Sequence, residues 1–169
     1  MRTRSVAVIV AVLALAGRTL VSLPAGAQGS GASDVGITAK TIRVAVVADV
    51  DNSIVPGVLQ GIVDGVEGWG KYVNANGGIA GRKVQVDFID SKLNANDARN
   101  AIIKACSEDL ALVGTGALLL QTVDDEVNCK DLAGKPTGIP DVAALATNTA
   151  QACAPNAFPI VPTRRTAAR

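Results

Sequence analysis

The sequence predicts an α/β fold, a parallel-sheet, Rossmann-like lobe, and three observations predict it. A strand-like run (Ile42–Ala48) is followed by apolar residues at helical spacing (Val58, Leu59, Ile62, Val63, Val66, Trp69, Tyr72, Val73) and then by a second strand-like run (Val84–Ile89). A strand–helix–strand unit of this kind forces a right-handed, parallel crossover. Alternation then continues through a helical segment, Ala98–Ser107, into a short apolar run, Leu110–Val113, closed by Gly114-Thr115-Gly116. The order β-α-β-α-β-α-β argues for helices layered on a parallel sheet.

Each element has its own local reason. Gly36–Thr41 leads into the first strand, and Asp49–Val55 is a polar loop. Pro56 is expected to open the first helix, where its missing N–H costs nothing. Glycines 57, 61, 65, 68 and 70 punctuate that helix and weaken its propensity, which suggests close packing on the sheet. The period breaks at Asn74-Ala75-Asn76, and Gly77-Gly78 supplies the left-handed residue that closes a helix. Val84–Ile89 is rich in strand formers, and Asn94–Asp97 offers caps for the second helix. Leu119, Leu120, Val123 and Val127 recur at helical spacing, with Asp124, Asp125 and Glu126 expected on the wet side. Gly138-Ile139-Pro140-Asp141 precedes a fourth strand, Val142–Ala146, and from Thr147 no period continues.

The N-terminus reads as an export signal. Arg2 and Arg4 precede the apolar run Val6–Ala16, and Ala25-Gly26-Ala27 is a small-x-small cleavage site. The expected organisation is a signal peptide, 1–27, cleaved after Ala27; a flexible leader, 28–35; a lobe, 36–162; and an irregular tail, 163–169. No cysteine follows Ala27, so no lipid anchor is expected there. The expected location is the periplasm or the extracellular face. Export permits disulfides, and loop-like surroundings at Cys129 and Cys153 favour a bridge between them, with Cys106 free in the core. Three reduced thiols, or a bridge through Cys106, are the alternatives. A bridge of this loop size stabilises by about 3 kcal/mol when unstrained.

Composition narrows the function. Aromatic residues make up 2% of the chain and the net charge is +1, with no basic run in the globular part, so a nucleic-acid partner is not expected. With no histidine, Ser-His-Asp and Cys-His arrangements are excluded, and metal binding has little to draw on without a paired Cys-x-x-Cys. There is no phosphate-cradling G-x-x-x-x-G-K-[ST] loop, and Gly114-Thr115-Gly116 lacks the third glycine of a dinucleotide fingerprint. No enzyme activity and no cofactor are expected.

The helix end Tyr72-Val73-Asn74-Ala75-Asn76-Gly77-Gly78-Ile79-Ala80-Gly81-Arg82-Lys83-Val84-Gln85-Val86 resembles the periplasmic binding proteins (type I) of branched-chain amino acid ABC transporters. In that family the first helix ends in a similar N-x-x-G-G-I-x-G-R/K turn. The lead-in Gly36-Ile37-Thr38-Ala39-Lys40-Thr41-Ile42 adds to the likeness, which spans Gly36 to about Pro162. Members are typically more than twice this length and have two lobes. The resemblance therefore implies part of a first lobe, and the arginine-rich end, unlike the family, suggests a truncated terminus.

In open parallel sheets ligands bind beyond the carboxyl ends of the strands. The resembled family grips an amino acid's carboxylate with backbone N–H groups and Ser/Thr hydroxyls after strands three and four. The matching positions here are Thr115, Gly116 and Ala117, then Thr147 and Thr149. Asp51, Asn52 and Ser53, in the polar loop after the first strand, are candidates by their place at a strand's carboxyl end. Leu118-Leu119-Leu120 stands where the family commonly has a serine pair, which opens the way to a different small ligand. The resemblance implies a monomeric solute-binding component of an ABC importer. It would capture a branched-chain amino acid, amide or short-chain acid and deliver it to a membrane permease. A ligand-sensing ectodomain of the same fold, or a truncated, non-binding fragment, is the alternative.

Overall fold

The computed structural model describes residues 34–160. The expected signal peptide, the leader up to residue 33 and the tail 163–169 lie outside the described residues. Nine elements follow in order: β1 (Thr41–Ala48), α1 (Gln60–Ala75), β2 (Lys83–Asp90), α2 (Ala95–Glu108), β3 (Ala111–Val113), α3 (Asp124–Val127), β4 (Asp141–Val142), α4 (Thr149–Cys153) and β5 (Ala157–Phe158). The strands form one parallel sheet in the order β2-β1-β3-β4-β5.

β1 is the centre of the core because both of its faces are covered, as its nearly unbroken apolar run requires. Val46 and Ala48 face α1 and meet Val63 and Val66. Ala45 and Val47 face α2 and meet Ala98, Ala101, Ile102 and Ala105, together with Leu112, Leu120 and Ile139. Val46, Val47, Ile102 and Leu112 are almost wholly withdrawn from water, each contributing about 1.5–3 kcal/mol of burial.

The turn after α1 explains its own sequence. Gly78 N–H donates to the Val73 carbonyl at 2.9 Å and Gly77 N–H to that of Asn74 at 3.4 Å, a paired closure with Gly77 at φ +97°. Ala80 and Gly81 then both adopt positive φ (49° and 76°) between the bridged residues Ile79 and Arg82, forming a tight two-residue hairpin. The Asn74 side chain behaves as a short piece of strand. Its amide donates to the Val84 carbonyl and its oxygen accepts from the Val84 N–H, both at 2.7 Å. Lys83 Nζ donates to the Asn74 carbonyl at 2.7 Å, and Arg82 Nε to that of Thr38 at 2.9 Å. The basic pair thus caps a helix end and ties down the lead-in to β1.

Several expectations need correction. Pro56 lies in a turn, not at the start of α1, because Gly57 (φ +76°) interrupts the helical path and α1 begins at Gln60. Of the glycines in α1, Gly70 abuts the sheet: a Cβ there would lie 2.8 Å from Val86 Cγ2, whereas Gly61, Gly65 and Gly68 face open space. The third helix is four residues long, and Glu126 is buried, not wet, because the short helix turns it inward beneath α2. β4 is Asp141–Val142 and not Val142–Ala146, since Ala143 takes a φ of 62° and leaves the strand. The segment without a period beyond Thr147 holds a further pair, α4 and β5, with Asn148 and Gln151 forming a capping box.

The cysteine pairing is also corrected. The disulfide joins Cys106 to Cys129, with Cα atoms 5.4 Å apart, and Cys153 is free and exposed. α2 and α3 pack together, which brings the end of α2 to the loop after α3, whereas Cys153 ends α4 on the far side of β4.

Candidate functional site

The loops beyond the carboxyl ends of β1, β2 and β3 meet at one buried carboxylate, Asp49. It stands directly after β1 and has no exposed surface. Its Oδ1 accepts from Ser91 Oγ at 2.6 Å and from the Leu93 N–H at 2.8 Å, and its Oδ2 accepts from the Leu118 N–H at 2.8 Å. Three donors therefore compensate the burial of one charge, and three loops are fixed relative to each other. Asp90 acts in the opposite direction from the end of β2, accepting from the N–H groups of Val50 (3.1 Å), Asp51 (2.8 Å) and Lys92 (2.8 Å). These two carboxylates, and Ser91, are the organisers of this end of the sheet, and the residue-type reading did not select Asp49 or Ser91. Their signal is an Asp at the end of each of two adjacent apolar strands.

The predicted site residues fall into two groups. Thr115, Gly116 and Ala117 are inside the structure. Thr115 is 2% exposed and its hydroxyl donates to Asp141 Oδ1 at 2.7 Å. Gly116 continues the ladder beside β1: its N–H donates to the Val47 carbonyl at 2.7 Å and its carbonyl accepts from the Asp49 N–H. A Cβ at Gly116 would meet Leu59 and Ile62 of the α1 side, and Ala117 is buried in the α2-facing core. The amides of Gly116 and Leu118 are thus already bonded within the chain.

The remaining residues line the rim. Asp51, Ser53, Thr147 and Thr149 are exposed, and Asn52 is half-buried. Asn52 orders its own loop, accepting from the Ile54 and Val55 N–H groups at 3.1 and 2.7 Å and donating to the Val55 carbonyl at 3.0 Å. The Thr147 hydroxyl lies 2.9 Å from Gln151 Oε1 and 3.3 Å from the Leu118 carbonyl oxygen, joining the loops after β3 and β4. Large apolar side chains stand out of the same loops: Ile54, Val55 and Leu119 are all exposed. Lys92, also exposed, is the cation of the loop after β2. The rim therefore offers hydroxyls, one ammonium and an aliphatic surface. Among the described residues no cluster of His, Cys, Asp and Glu is arranged to hold a metal ion.

No family model and no curated protein matches the chain. Among solved structures, a fatty acid ABC transporter substrate-binding protein from Thermomonospora curvata is similar over 50% of this chain and 22% of that one, at 23% identity and a TM-score of 0.43. The matched part is thus well under half of that protein's length.

Asp87 and Asp90, three positions apart on β2, serve different structures. Asp87 faces Arg43, which donates to its Oδ2 at 2.9 Å, while Asp90 holds the loop amides.

Proposed function

We propose that the chain is an extracytoplasmic solute-binding protein of an ABC importer, taking a small ligand that joins a carboxylate or amide to an aliphatic group. The observation that carries the reading is the Asp49 junction, which presents the loops after β1, β2 and β3 as one preorganised rim at the carboxyl end of a parallel sheet. Fixing loops before binding removes much of the ordering cost of capturing a small molecule. The helix-closing turn, which resembles that of branched-chain amino acid binding proteins, supports the same family, and the N-terminal apolar run supports export. Within this reading Thr147 and Lys92 contact the polar end of the solute, Ile54, Val55 and Leu119 its aliphatic end, and Thr115–Ala117 support the rim from below. The partners are the solute and a membrane permease, the chain acts as a monomer, and it catalyses no reaction.

Calorimetry of the chain against branched-chain amino acids, their amides and straight-chain carboxylates of increasing length tests this. The expected result is saturable binding of one of these classes, weakened tenfold or more by Leu119→Asp and by Thr147→Val. Absence of heat with every class, from a protein whose circular dichroism shows it folded, would overturn the reading.

A further inference from the structure

We propose that of two buried carboxyls, Glu126 on α3 and Asp141 on β4, Glu126 keeps its proton while the two elements are docked, and that loss of this proton releases α3, β4 and the loop after β3 together. The geometry carries the inference. Glu126 is 1% exposed, Asp141 is 3% exposed, and Glu126 Oε1 has no hydrogen-bond partner. Asp141 Oδ1 accepts from the Thr115 hydroxyl at 2.7 Å, which ties β4 to the loop after β3. The Ile139 N–H donates to the Glu126 carbonyl at 2.9 Å, which ties the lead-in of β4 to α3. An ionised Glu126 at this place would be a buried charge with one oxygen left without a donor.

Among the described residues no cation forms an ion pair with either carboxyl. From α2, Arg99 is engaged by Asp125 at 2.7 Å and Lys104 by Glu108 at 2.9 Å, and Cys106 is in the disulfide. On α3 itself Asp124 is exposed and Asp125 is paired with Arg99, and Lys130 and Lys135 of the following loop are exposed. The neighbours of Asp141 are uncharged: Leu112 of β3, Ala157 of β5, Thr115 in the loop after β3 and Asn156 just before β5. Burial first, and repulsion from Asp141 second, push the Glu126 carboxyl up to about 8; burial pushes Asp141 up to about 6 although the Thr115 hydrogen bond opposes it.

The sign follows from which state holds the proton more tightly. The docked state binds it with the raised affinity and the open state with the ordinary carboxylate affinity, so opening releases a proton to solvent. Opening is therefore suppressed in acid, grows as pH rises towards the docked value and levels off above it. Between pH 6 and pH 8 the opening constant should approach a tenfold rise per pH unit, the limit for one proton released. The Cys106–Cys129 bridge keeps the middle of the segment tied to α2, so the release is local: β5, which pairs with β4, goes with it, while β2, β1 and β3 stay paired.

Carboxyl-carbon NMR of the disulfide-intact chain, labelled at Glu and Asp side chains, reads the pair directly. One carboxyl should titrate near pH 8, and its signal should be absent in Glu126→Gln. Asp141→Asn should move the Glu126 midpoint down, because the like charge is gone. Amide-exchange protection factors over residues 114–142 should fall between pH 6 and pH 8 by more than those of β1 and β2 in the parent chain, and only in step with them in Glu126→Gln. A spectrum in which every carboxyl titrates below pH 6, or a Glu126→Gln chain with the same pH-dependent loss of protection, would overturn the proposal. If Glu126→Gln does not fold, the NMR titration of the parent chain decides alone.

Discussion

Asp49 and Leu118, 69 residues apart, are joined at 2.8 Å by a hydrogen bond from the Leu118 amide to the Asp49 carboxylate. That bond occupies an N–H in the loop after β3, where the resembled family would present donors to a ligand. Asp49→Ala would remove the acceptor for Leu118, Leu93 and Ser91 at once and leave three donors facing a dry pocket. An orphaned buried donor costs about 1–3 kcal/mol, so a loss of about 3 kcal/mol or more is expected in urea unfolding. Asp49→Asn keeps one acceptor oxygen and should cost less, with the loop after β3 the first to lose amide protection.

The βαβ unit is legible in the sequence because α1 and α2 are long enough for a 3.6-residue period to show, and because Gly77-Gly78 marks where α1 ends in a left-handed turn. Beyond Gly114 the elements are too short for periodicity: α3 has 4 residues and β4 and β5 have 2 each. They are held by Asp141, Gln151 and Asn156, each acting on a partner that no local pattern reveals. The same physics blurred the site. Thr115 reads as a ligand-facing hydroxyl by type and position, yet the hydroxyl is directed at Asp141. A single Asp after a strand looks like a solvated loop residue, so Asp49 passes unremarked. Cysteine pairing depends on which helices touch, and spacing alone does not report that.

Glycines in and after α1 should respond in opposite senses. Gly65 faces open space, so Gly65→Ala should stabilise by about 1 kcal/mol through helix propensity. Gly78 has φ +81° and a Cβ there would run into the Arg82 carbonyl, so Gly78→Ala should cost about 2 kcal/mol or more. Thermal unfolding of the two variants beside the parent chain checks the sign of each. Equal effects would mean that the turn is not closed as described.

The disulfide has a direct chemical test. Without reduction, proteolysis should release a Cys106 peptide joined to a Cys129 peptide, while Cys153 alone reacts with an alkylating reagent. The bridge spans a sequence separation of 23, and closing a loop of that order restricts the unfolded chain by about 3 kcal/mol. Cys129→Ser should lower stability by about this amount, and Cys153→Ser should leave it within about 0.5 kcal/mol, as exposed substitutions usually do.

The cluster around Arg43 makes a pH prediction of its own. Arg43 Nε donates to Asp87 Oδ2 and its NH2 group to Glu108 Oε2, both at 2.9 Å, while Asp109 Oδ1 lies 3.7 Å away with its side chain wholly buried. No nitrogen or hydroxyl donor reaches the Asp109 oxygens, and burial, followed by its contact with Asp87, pushes this carboxyl up to about 7. Asp87 shifts the other way: burial opposes its charge, but hydrogen bonds from Gln85 and Arg43 hold it below the ordinary carboxylate range. The two therefore pull stability in opposite directions. Asp109, raised from an ordinary 3.8, contributes stability that is complete in acid and is lost as pH climbs to about 7. Asp87 contributes stability that is present at neutral pH and is lost as pH falls through its lowered value. Asp109→Asn removes the first effect and spares the second. Its urea-unfolding stability should thus change less than that of the parent chain between pH 5 and pH 7, while both should weaken alike in stronger acid. Parallel curves for the two proteins from pH 5 to pH 7 would show that Asp109 carries no proton in the folded chain.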